Sequence, residues 1–386
     1  IDAGVTSSTN DDIDGDPRPT GSAPDIGADE LTCLAQVGST TYTQIQAAIG
    51  AATSGQTVRV AAGVCYENLV ITESLTLEGG WNTAFTSRSS DPAATTIDAS
   101  GAGRVISITE QSGAIAPTVD GLTLTGGDAT GLAGSGIYGY DIGGGLYGYY
   151  ADVTVNNCVI TNSIASQSGI AWGGGIGLFG GSLTLSDSTV AGNTASLGSN
   201  GYGGGVYLRY TGSNTSLANN QIHDNLASPA STGFGGGLCI MAGDADLQDN
   251  AIFGNTASQS RDSYGGGIRL YMADLTMDGD QVYGNHAAVT GMIGRGGGIN
   301  VAQNSTLVAT GIQVYDNQAI SGGGIYASDS SALTLSASQV YSNTAGLGGG
   351  YYCNCSQSDI TTSQFYNNNA GYGGGIQLTG CDDAYI

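Results

Sequence analysis

Three aspartates near the start of the chain have a spacing that suits a hard cation. Asp12, Asp14 and Asp16 alternate with Ile13 and Gly15. Alternating carboxylates in a turn can surround Ca²⁺ with oxygen ligands, although the distal glutamate of an EF-hand loop is missing here. Ca²⁺ is therefore the one cofactor that the sequence suggests, and an ordinary acidic turn is the alternative interpretation.

A row of rings is the second feature with possible chemistry. Aromatic or imidazole side chains recur at one position of a repeated segment, namely His223, Phe253, Tyr283, Tyr315, Tyr341 and Tyr366. Equivalent positions of a repeat lie above one another, so these rings should stack along one surface edge. Stacked rings can bind sugars, which makes Tyr283, Tyr315, Tyr341 and Tyr366 candidate glycan-binding residues. The alternative is that the rings only pack on one another and cover the edge.

These rings belong to a repeat that runs from the middle of the chain to its end. A branched or aromatic residue leads into Asn-x-Ala, and three glycines plus a hydrophobic residue follow. The asparagines are Asn193, Asn225, Asn255, Asn285, Asn317, Asn343 and Asn368, and the glycine triplets begin at Gly143, Gly173, Gly203, Gly235, Gly265, Gly296, Gly322, Gly348 and Gly373. The period of roughly 25 to 32 residues is that of one supersecondary unit, which favours a solenoid.

Each repeat contains strands and no helix. In Ser182–Ser186 and in Leu333–Leu335 the apolar residues occupy every second position, and the same alternation returns after the glycines. The sequence therefore predicts an all-β fold, a parallel β-helix. We expect each asparagine to adopt a left-handed backbone and to bond its amide to the copies above and below. We expect the glycines to form a corner where a Cβ would clash.

One amphipathic helix precedes the strands. Ile45, Ala48, Ile49 and Ala52 have helical spacing, and Thr41 with Gln44 matches a capping box. The helix is expected to cover the open end of the first coil. The predicted organisation is an extended segment over residues 1–32, a capping-helix region over 33–57 and a β-helix over 58–386.

Seven cysteines indicate an oxidising compartment. Cys33 and Cys65 bracket the helix and are predicted to join it to the first coil. Cys355 and Cys381 are separated by one repeat, so a bond between adjacent coils is predicted there. Cys353 with Cys381 is nearly as suitable, and the odd count leaves at least one thiol unpaired within the chain.

Two segments resemble known families. The stretch from Tyr42–Ile49 through Val58–Gly63 to Leu75–Gly80 resembles the start of right-handed β-helices of the pectate-lyase-like superfamily. The asparagine and glycine repeats resemble those of polymorphic outer-membrane proteins. Here the aromatic residue lies two positions before the asparagine and not three, and a third glycine replaces the usual alanine.

The first thirty residues resemble the closing segment of extracellular bacterial β-helix proteins called choice-of-anchor Q. The resemblance lies in Ile1–Gly4, Asp12–Pro19 and Pro24–Glu30. Such a segment normally ends a β-helix, so either the chain is a slice of a tandem array or the segment completes a neighbouring molecule. The second case predicts a head-to-tail homopolymer. Its interface would consist of Ile1, Asp2, Ile13, Pro24, Asp25 and Ile26 against Tyr372, Ile376, Leu378 and Tyr385 of the last coil.

The superfamily also contains polysaccharide lyases and hydrolases. A lyase of this kind needs a cationic base beside carboxylates that hold Ca²⁺, and a hydrolase needs paired carboxylates. Arg209 and Arg269 follow glycine triplets two coils apart, but no compact aspartate cluster is predicted beside either. His223 and His286 do not form a convincing acid–base pair. From these residues the chain is not expected to be an enzyme.

Composition indicates a secreted protein. The chain has no lysine and eight arginines against 32 acidic residues, with a net charge of −24. Such a surface repels nucleic acid and anionic membranes, and no apolar run is long enough to span a bilayer. The predicted function is an extracellular or cell-surface filament subunit. An adhesin rod or a carbohydrate-binding β-helix with surface glycans as partners is the alternative, and a lyase or hydrolase is less favoured.

Overall fold

The computed structural model describes residues 33–109, 115–134, 139–288, 293–354, 356–381 and 384–385. Through these residues the chain winds into a parallel β-helix, which confirms the predicted fold class. Successive coils pair in register, so that Val282 lies beside Val314 and Val314 beside Val340. The repeat period therefore corresponds to one coil.

Two ladders of strands form one 23-stranded sheet. The strands that follow the glycine triplets and their counterparts in earlier coils, here called the front ladder, are Leu69–Ile71, Ile106–Thr109, Leu146–Asn156, Ile176–Ser186, Val206–Arg209, Leu238–Met241, Ile268–Tyr271, Ile299–Ala302, Ile325–Ser328, Tyr351–Asn354 and Ile376–Thr379. The neighbouring ladder contains Ala35–Val37, Thr40–Tyr42, Thr57–Ala61, Thr76–Trp81, Thr118–Asp120, Ser216–Ala218, Asp244–Gln248, Asp274–Asp278, Thr306–Thr310, Ala332–Ser336, Gln357–Thr361 and Ala384–Tyr385. The long strands Leu146–Asn156 and Ile176–Ser186 extend through both ladders.

A second sheet of eleven strands, here called the back sheet, precedes the asparagines. Its strands are Gly63–Cys65, Thr95–Asp98, Thr123–Thr125, Val159–Thr161, Thr189–Ala191, Gln221–His223, Ala251–Phe253, Gln281–Tyr283, Gln313–Tyr315, Gln339–Tyr341 and Gln364–Tyr366.

Short strands between the asparagines and the glycines form three small sheets, here called the corner strands. They are Asp141–Ile142, Ala171–Trp172, Gly201–Tyr202, Gly233–Phe234, Ser263–Tyr264 and Gly294–Arg295, then Ile164–Ser166, Thr194–Ser196, Leu226–Ser228 and Thr256–Ser258, then Thr344–Leu347 and Asn369–Tyr372. One 3₁₀ turn covers Pro92–Ala94.

The helix spans Ile45–Ala51 and buries Ile45, Ala48 and Ile49 against the first coil. The predicted capping box is wrong, because Gln44 occupies the N-cap position and makes no side-chain cap bond. The carboxylate of Glu67 instead accepts the backbone N–H groups of Ile45 and Gln46 at 2.7 and 2.9 Å. A residue of the first coil therefore caps the helix that covers it. The predicted Cys33–Cys65 disulfide is present, with the two Cα atoms 5.2 Å apart.

The asparagine ladder has the predicted amide bonds. In Asn285 the Nδ2 atom donates to Oδ1 of Asn317 at 3.0 Å, and its Oδ1 accepts Nδ2 and the backbone N–H of Asn255 at 3.0 Å. The expected left-handed backbone belongs to the preceding residue, as at Asp316 with φ of 53°. The turn is thus made one position earlier, which leaves the asparagine side chain free to enter the core.

The glycine corner is as tight as predicted. Gly265 has φ of 70°, and a Cβ added to Gly266 would lie 2.4 Å from the carbonyl oxygen of Gly297 in the next coil. Adjacent coils therefore touch backbone to backbone at this corner.

A second buried polar ladder, not recognised in the sequence, runs through Ser188, Asn220, Asn250 and Asp280. It ends at Asp280, where Oδ1 accepts Nδ2 of Asn250 at 2.8 Å and Oδ2 has no partner among the described residues. Burial raises the pKa of this carboxyl to about 6. The next coil places Ile312 at this position, so the ladder cannot continue.

The last coil is joined to its neighbour by a disulfide between Cys353 and Cys381, with a Cα separation of 6.6 Å. The preferred pairing of Cys381 with Cys355 is therefore wrong, and the alternative is correct. The reason is register, because Cys353 lies directly beside Leu378 in the neighbouring strand and its side chain faces the interior. Cys158 and Cys239 are buried free thiols.

Candidate functional site

The predicted row of rings on the back sheet is a regular stack, here called the ring stack. Its six rings, from His223 to Tyr366, have centroids 4.6 to 4.9 Å apart and lie within 10° of parallel. The hydroxyls of Tyr315, Tyr341 and Tyr366 donate to Oε1 of the glutamine beside the neighbouring ring at 3.0 to 3.4 Å. Each inner ring has both faces against other rings, so a sugar can reach only its edge. Glycan binding by Tyr283, Tyr315, Tyr341 and Tyr366 stays a prediction.

A different row points outward from the front ladder and is nevertheless buried. Consecutive coils place Tyr207, Cys239, Arg269, Asn300 and Tyr326 side by side, and none is more than 7% exposed. Larger side chains of the corner strands and the far ends of the front strands cover the row, among them Trp172, Tyr202, Phe234, Tyr264 and Tyr271. This surface is here called the front face.

Arg269 is the buried cation of the front face. Its guanidinium carbon lies 4.6 Å from the ring centroid of Phe234, 4.7 Å from that of Tyr264 and 5.5 Å from that of Tyr271. Among the described residues, no carboxylate forms an ion pair with it, and its Nε and Nη1 atoms have no hydrogen-bond partner. Burial lowers the pKa of Arg269, but guanidinium remains protonated in proteins. A buried charge without a counter-ion costs free energy, which the faces of these three rings offset in part.

Asn300 is the neighbour of Arg269 in the next coil. It is 1% exposed, and neither Nδ2 nor Oδ1 has a hydrogen-bond partner among the described residues. Both residues line an open groove of about 310 Å³. The other described lining residues are Thr232, Phe234, Asp262, Tyr264, Tyr271, Arg295, Ala302, Gln303, Ser328 and Asp329. The unpaired atoms of Arg269 and Asn300 are closed to solvent, so they lie beneath the aromatic walls of the groove.

Cations are concentrated on this face of an acidic chain. Arg295 lies 5.3 Å from the ring centroid of Tyr326 and lines the groove. Two further arginines on the front face already have partners. Arg104 Nε donates to the carbonyl of Ile142 at 2.8 Å, and Arg209 Nη2 donates to the hydroxyl of Tyr210 at 3.1 Å.

The groove also holds two carboxylates, Asp262 and Asp329. One oxygen of Asp262 accepts the backbone N–H of Ile293 at 3.0 Å, which orients the side chain. The arrangement thus places the arginine Arg295 and the carboxylates of Asp262 and Asp329 around one groove. The sequence noted Arg269 but missed this site, because Asp262 and Asp329 are two repeats apart in the chain. The available signal was that the outward position after the glycines changes from Tyr or Cys to Arg and Asn in two successive coils.

The other predicted site residues are not brought to the groove. Asp12, Asp14 and Asp16, and Ile1, Asp2, Ile13, Pro24, Asp25 and Ile26, lie outside the described residues. Tyr372 and Tyr385 in the last coil are 72% and 74% exposed, Leu378 is 39% exposed and Ile376 is half-buried. Within the part of the chain that the structure describes, no group of three or more His, Cys, Asp or Glu side chains could hold a metal. No helix in that part is long and apolar enough to cross a membrane.

The model of the family described as right handed beta helix region matches residues 105–286 and 235–386. The chain belongs to this family. The strand solenoid predicted from the repeat and the right-handedness implied by the pectate-lyase-like resemblance are thereby confirmed. The resemblances to outer-membrane-protein repeats and to the choice-of-anchor segment stay predictions. No curated protein matches the sequence significantly.

Several solved structures are similar to this β-helix. The A-module of the mannuronan C-5 epimerase AlgE4 from Azotobacter vinelandii is 15% identical, with 89% of this chain and 94% of that chain covered and a TM-score of 0.48. A pectin methylesterase from Yersinia enterocolitica is 10% identical, with coverage of 77% and 90% and a TM-score of 0.32. The periplasmic alginate epimerase AlgG is 12% identical, with coverage of 84% and 85% and a TM-score of 0.28. At these identities the likeness concerns the fold alone.

The expectation that the chain is not an enzyme is corrected by these structures. Each of the three is an enzyme by its name. The reasoning from dispersed carboxylates was also incomplete, since Asp262 and Asp329 line one groove with Arg269.

Proposed function

We propose that the chain is a secreted carbohydrate-binding β-helix whose ligand occupies the groove of the front face. The observation that carries this proposal is the unpaired state of Arg269 and Asn300, which are buried beneath aromatic side chains and line an open groove. Leaving such groups unpaired costs free energy, and because the atoms are closed to solvent, a polar ligand recovers it only if a covering side chain moves aside. A few convergent polar groups among apolar walls are typical of small-molecule sites.

Carbohydrate is the ligand class that fits both kinds of surface. Sugar hydroxyls can bond to the partly or fully exposed Asp262, Arg295 and Asp329. The C–H faces of the ring can pack on Tyr264, Tyr271 or Phe234, which lie around the Arg269 guanidinium. The groove is open and lies along neighbouring coils, so it can admit part of a chain. Two disulfides support a secreted location, since such bonds persist in oxidising compartments.

The test is a glycan-binding screen with the wild-type chain, Arg269→Gln and Arg59→Gln. Arg59 stacks on Trp81 at 4.5 Å outside the groove and is the matched control. We expect wild type and R59Q to bind the same glycans and R269Q to bind at least about tenfold more weakly, since a charge-assisted bond is lost. Equal binding by R269Q, or no bound glycan from a broad panel, would contradict the proposal. Product analysis of the incubated glycans would show whether bound sugar is also altered.

A second candidate function, a head-to-tail filament, is favoured by the last described coil. Tyr372, Leu378 and Tyr385 expose apolar surface there, and the strand edge is suited to addition of another strand. In this proposal residues 1–30 of a neighbouring copy cover that surface. Electron microscopy and sedimentation of the full chain and of residues 31–386 test it. Filaments from the full chain alone support it, and monomers from both would exclude it.

A further inference from the structure

Four consecutive rings of the ring stack are tyrosines that share one geometry. The ring centroids of Tyr283 and Tyr315 are 4.8 Å apart, and those of Tyr315 and Tyr341 and of Tyr341 and Tyr366 are 4.9 Å apart. Neighbouring ring planes differ by only 2 to 4°. Four phenol rings therefore face one another in sequence, one from each of four successive coils.

These phenols can be reached from solvent. Tyr366 is 39% exposed, and Tyr283, Tyr315 and Tyr341 are partly exposed. The hydroxyl of Tyr315 donates to Oε1 of Gln281 at 3.3 Å, and the hydroxyls of Tyr341 and Tyr366 donate to the equivalent glutamines at 3.4 and 3.0 Å. These bonds hold each hydroxyl, and with it the two ortho carbons of the ring, in the same place on successive coils.

Stacking by itself does not need the hydroxyl. Phe253 occupies the same row and stacks on Tyr283 at 4.8 Å and within 4° of parallel. A phenol differs from a benzene ring in that it readily loses one electron and its hydroxyl proton to an oxidant. The radical that results has unpaired density at the ortho carbons. The chain has 21 tyrosines, five phenylalanines and no lysine, so phenols and not lysine amines are its means of forming covalent cross-links.

We propose that the ring stack is a site of oxidative cross-linking, in which a dityrosine bond joins adjacent tyrosines and thereby neighbouring coils. The oxidant is hydrogen peroxide, used by a peroxidase. Two adjacent phenols each lose one electron and one proton, and one peroxide takes up both pairs and becomes two water molecules. The two radicals form a carbon–carbon bond between ortho carbons. The hydrogen of each bonded carbon then moves to the phenol oxygen, which restores both hydroxyls.

The register of the coils favours coupling within one molecule. Tyr315 and Tyr341 are paired in adjacent parallel strands, which are about 4.8 Å apart. The torsion that turns a tyrosine ring has a broad minimum, so ortho carbons of neighbouring rings can approach without movement of the strands. Because each radical already has a phenol against its face, coupling within the stack should be faster than coupling between molecules in dilute solution.

Exposure alone predicts other sites. Tyr66, Tyr372 and Tyr385 are 57%, 72% and 74% exposed. In the part of the chain that the structure describes, no tyrosine ring is stacked on any of them. An oxidant that selected tyrosines by exposure would modify these three before the ring stack, so the two explanations can be separated by locating the bond.

The test treats the full chain, diluted until it forms no dimers, with a peroxidase and limiting hydrogen peroxide. Trypsin and an aspartate-specific protease together cleave at Arg295, Asp316 and Asp359, which places the four ring-stack tyrosines in four different peptides. Mass spectrometry should find peptides from neighbouring coils joined in pairs, with the loss of two hydrogen atoms for each bond. Dityrosine fluorescence should be carried by the monomer.

Two double variants distinguish stacking from exposure. Tyr283→Phe with Tyr341→Phe keeps every ring of the stack but leaves no two adjacent phenols, so the yield of joined peptides should fall at least about tenfold. Tyr66→Phe with Tyr385→Phe removes the same number of phenols, both more exposed, and should leave the yield as in wild type. The complementary variant Y315F/Y366F also separates the remaining phenols and should behave as Y283F/Y341F does, which guards against a folding defect in either one.

Joined peptides from neighbouring coils in wild type, lost in both variants of the stack, would support the proposal. An unchanged yield in these variants, or bonds found only at tyrosines outside the stack, would overturn it. So would the absence of dityrosine while free tyrosine is coupled in the same solution. The result is independent of the carbohydrate proposal, because the ring stack lies on the back sheet and the groove on the front face.

Discussion

Asn285 in the interior ladder and Asn300 on the front face are both buried asparagines, yet their surroundings are opposite. Every polar atom of the Asn285 amide is bonded within the protein, whereas neither atom of the Asn300 amide has a partner among the described residues. The ladder position of Asn285 is an asparagine in every coil from Asn193 to Asn368. The front-face position of Asn300 is an asparagine in that coil alone among the described residues. In a repeat protein, the repeated polar residue therefore holds coils together, and the polar residue that interrupts a row is the candidate for binding.

The largest expected effect is the difference in the free energy of unfolding when each of these two asparagines is replaced by alanine. Asn285→Ala removes four buried hydrogen bonds, to Asn255 twice, Ile252 and Asn317, and should lower the free energy of unfolding by about 4 kcal/mol, at about 1 kcal/mol each. Asn300→Ala should leave it unchanged or raise it by about 1 kcal/mol, because no bond is lost. Urea unfolding measures both. Equal losses would refute the distinction.

The second effect concerns the second buried polar ladder, which runs from Ser188 and ends at Asp280. Since burial raises the pKa of Asp280 to about 6, the protonated form is favoured in the folded state. The free energy of unfolding is therefore highest below the unfolded pKa of about 4, where the carboxyl of Asp280 is protonated in both states. It falls as pH rises through 6, by up to about 3 kcal/mol at pH 8.

Asp280→Asn should therefore stabilise the chain at pH 8 and change little at pH 4. The new amide would donate to the carbonyl of Leu247, as Asn250 donates to Leu217 in the coil before. The matched variant Asn250→Asp should do the reverse at pH 8. Unfolding curves at the two pH values check both, and a pH-independent gain for D280N would contradict the ionisation argument.

A smaller effect is expected for the stability of the front face. Arg269→Met removes a buried charge that has no counter-ion but also removes three cation–π contacts, so the free energy of unfolding should change by less than about 1 kcal/mol. The same change at Arg59, which is half-buried on Trp81, should cost about 1 kcal/mol. Thermal unfolding of the two variants tests this difference. A loss at Arg269 as large as at Arg59 would indicate that the arginine is structural.

The smallest effect is expected in the ring stack. Tyr315→Phe keeps the stacked ring and loses only an exposed bond of 3.3 Å to Gln281, so stability should change by less than about 0.5 kcal/mol. Glycan binding should also be unchanged if the groove is the site. A loss of binding in Y315F would move the site to the back sheet.

Features that recur in every coil could be predicted from the sequence, because the repeat shows which residues occupy equivalent positions in successive coils. The Asn–Asn bonds, the glycine corner and the stacked rings follow from equivalent positions lying above one another. The Cys353–Cys381 disulfide could not be distinguished from Cys355–Cys381 by spacing alone. Cys353 and Cys355 are only two residues apart, so the strand register decides which of them faces Cys381. The cap by Glu67 was missed because its partners are more than twenty residues away.

The groove was missed for a related reason. Its members come from four coils, and each residue alone is an ordinary surface type. The decisive property is an absence of partners at Arg269 and Asn300, which depends on the side chains of neighbouring coils. Arg88, by contrast, is bonded to Glu78 and Asp120 at 2.9 and 2.7 Å, and nothing in the local sequence distinguishes the two arginines.

The positions of the two disulfides have a mechanical consequence. A solenoid held only by neighbour contacts unravels from its outermost turns, which are supported on one side. Cys33–Cys65 and Cys353–Cys381 lie at these two places in the described solenoid, and each fastens an outer turn to the chain beside it. The two disulfides should therefore oppose local unfolding of the outer turns. After their reduction, a protease should digest the described solenoid from its outer turns inward while the middle coils stay intact.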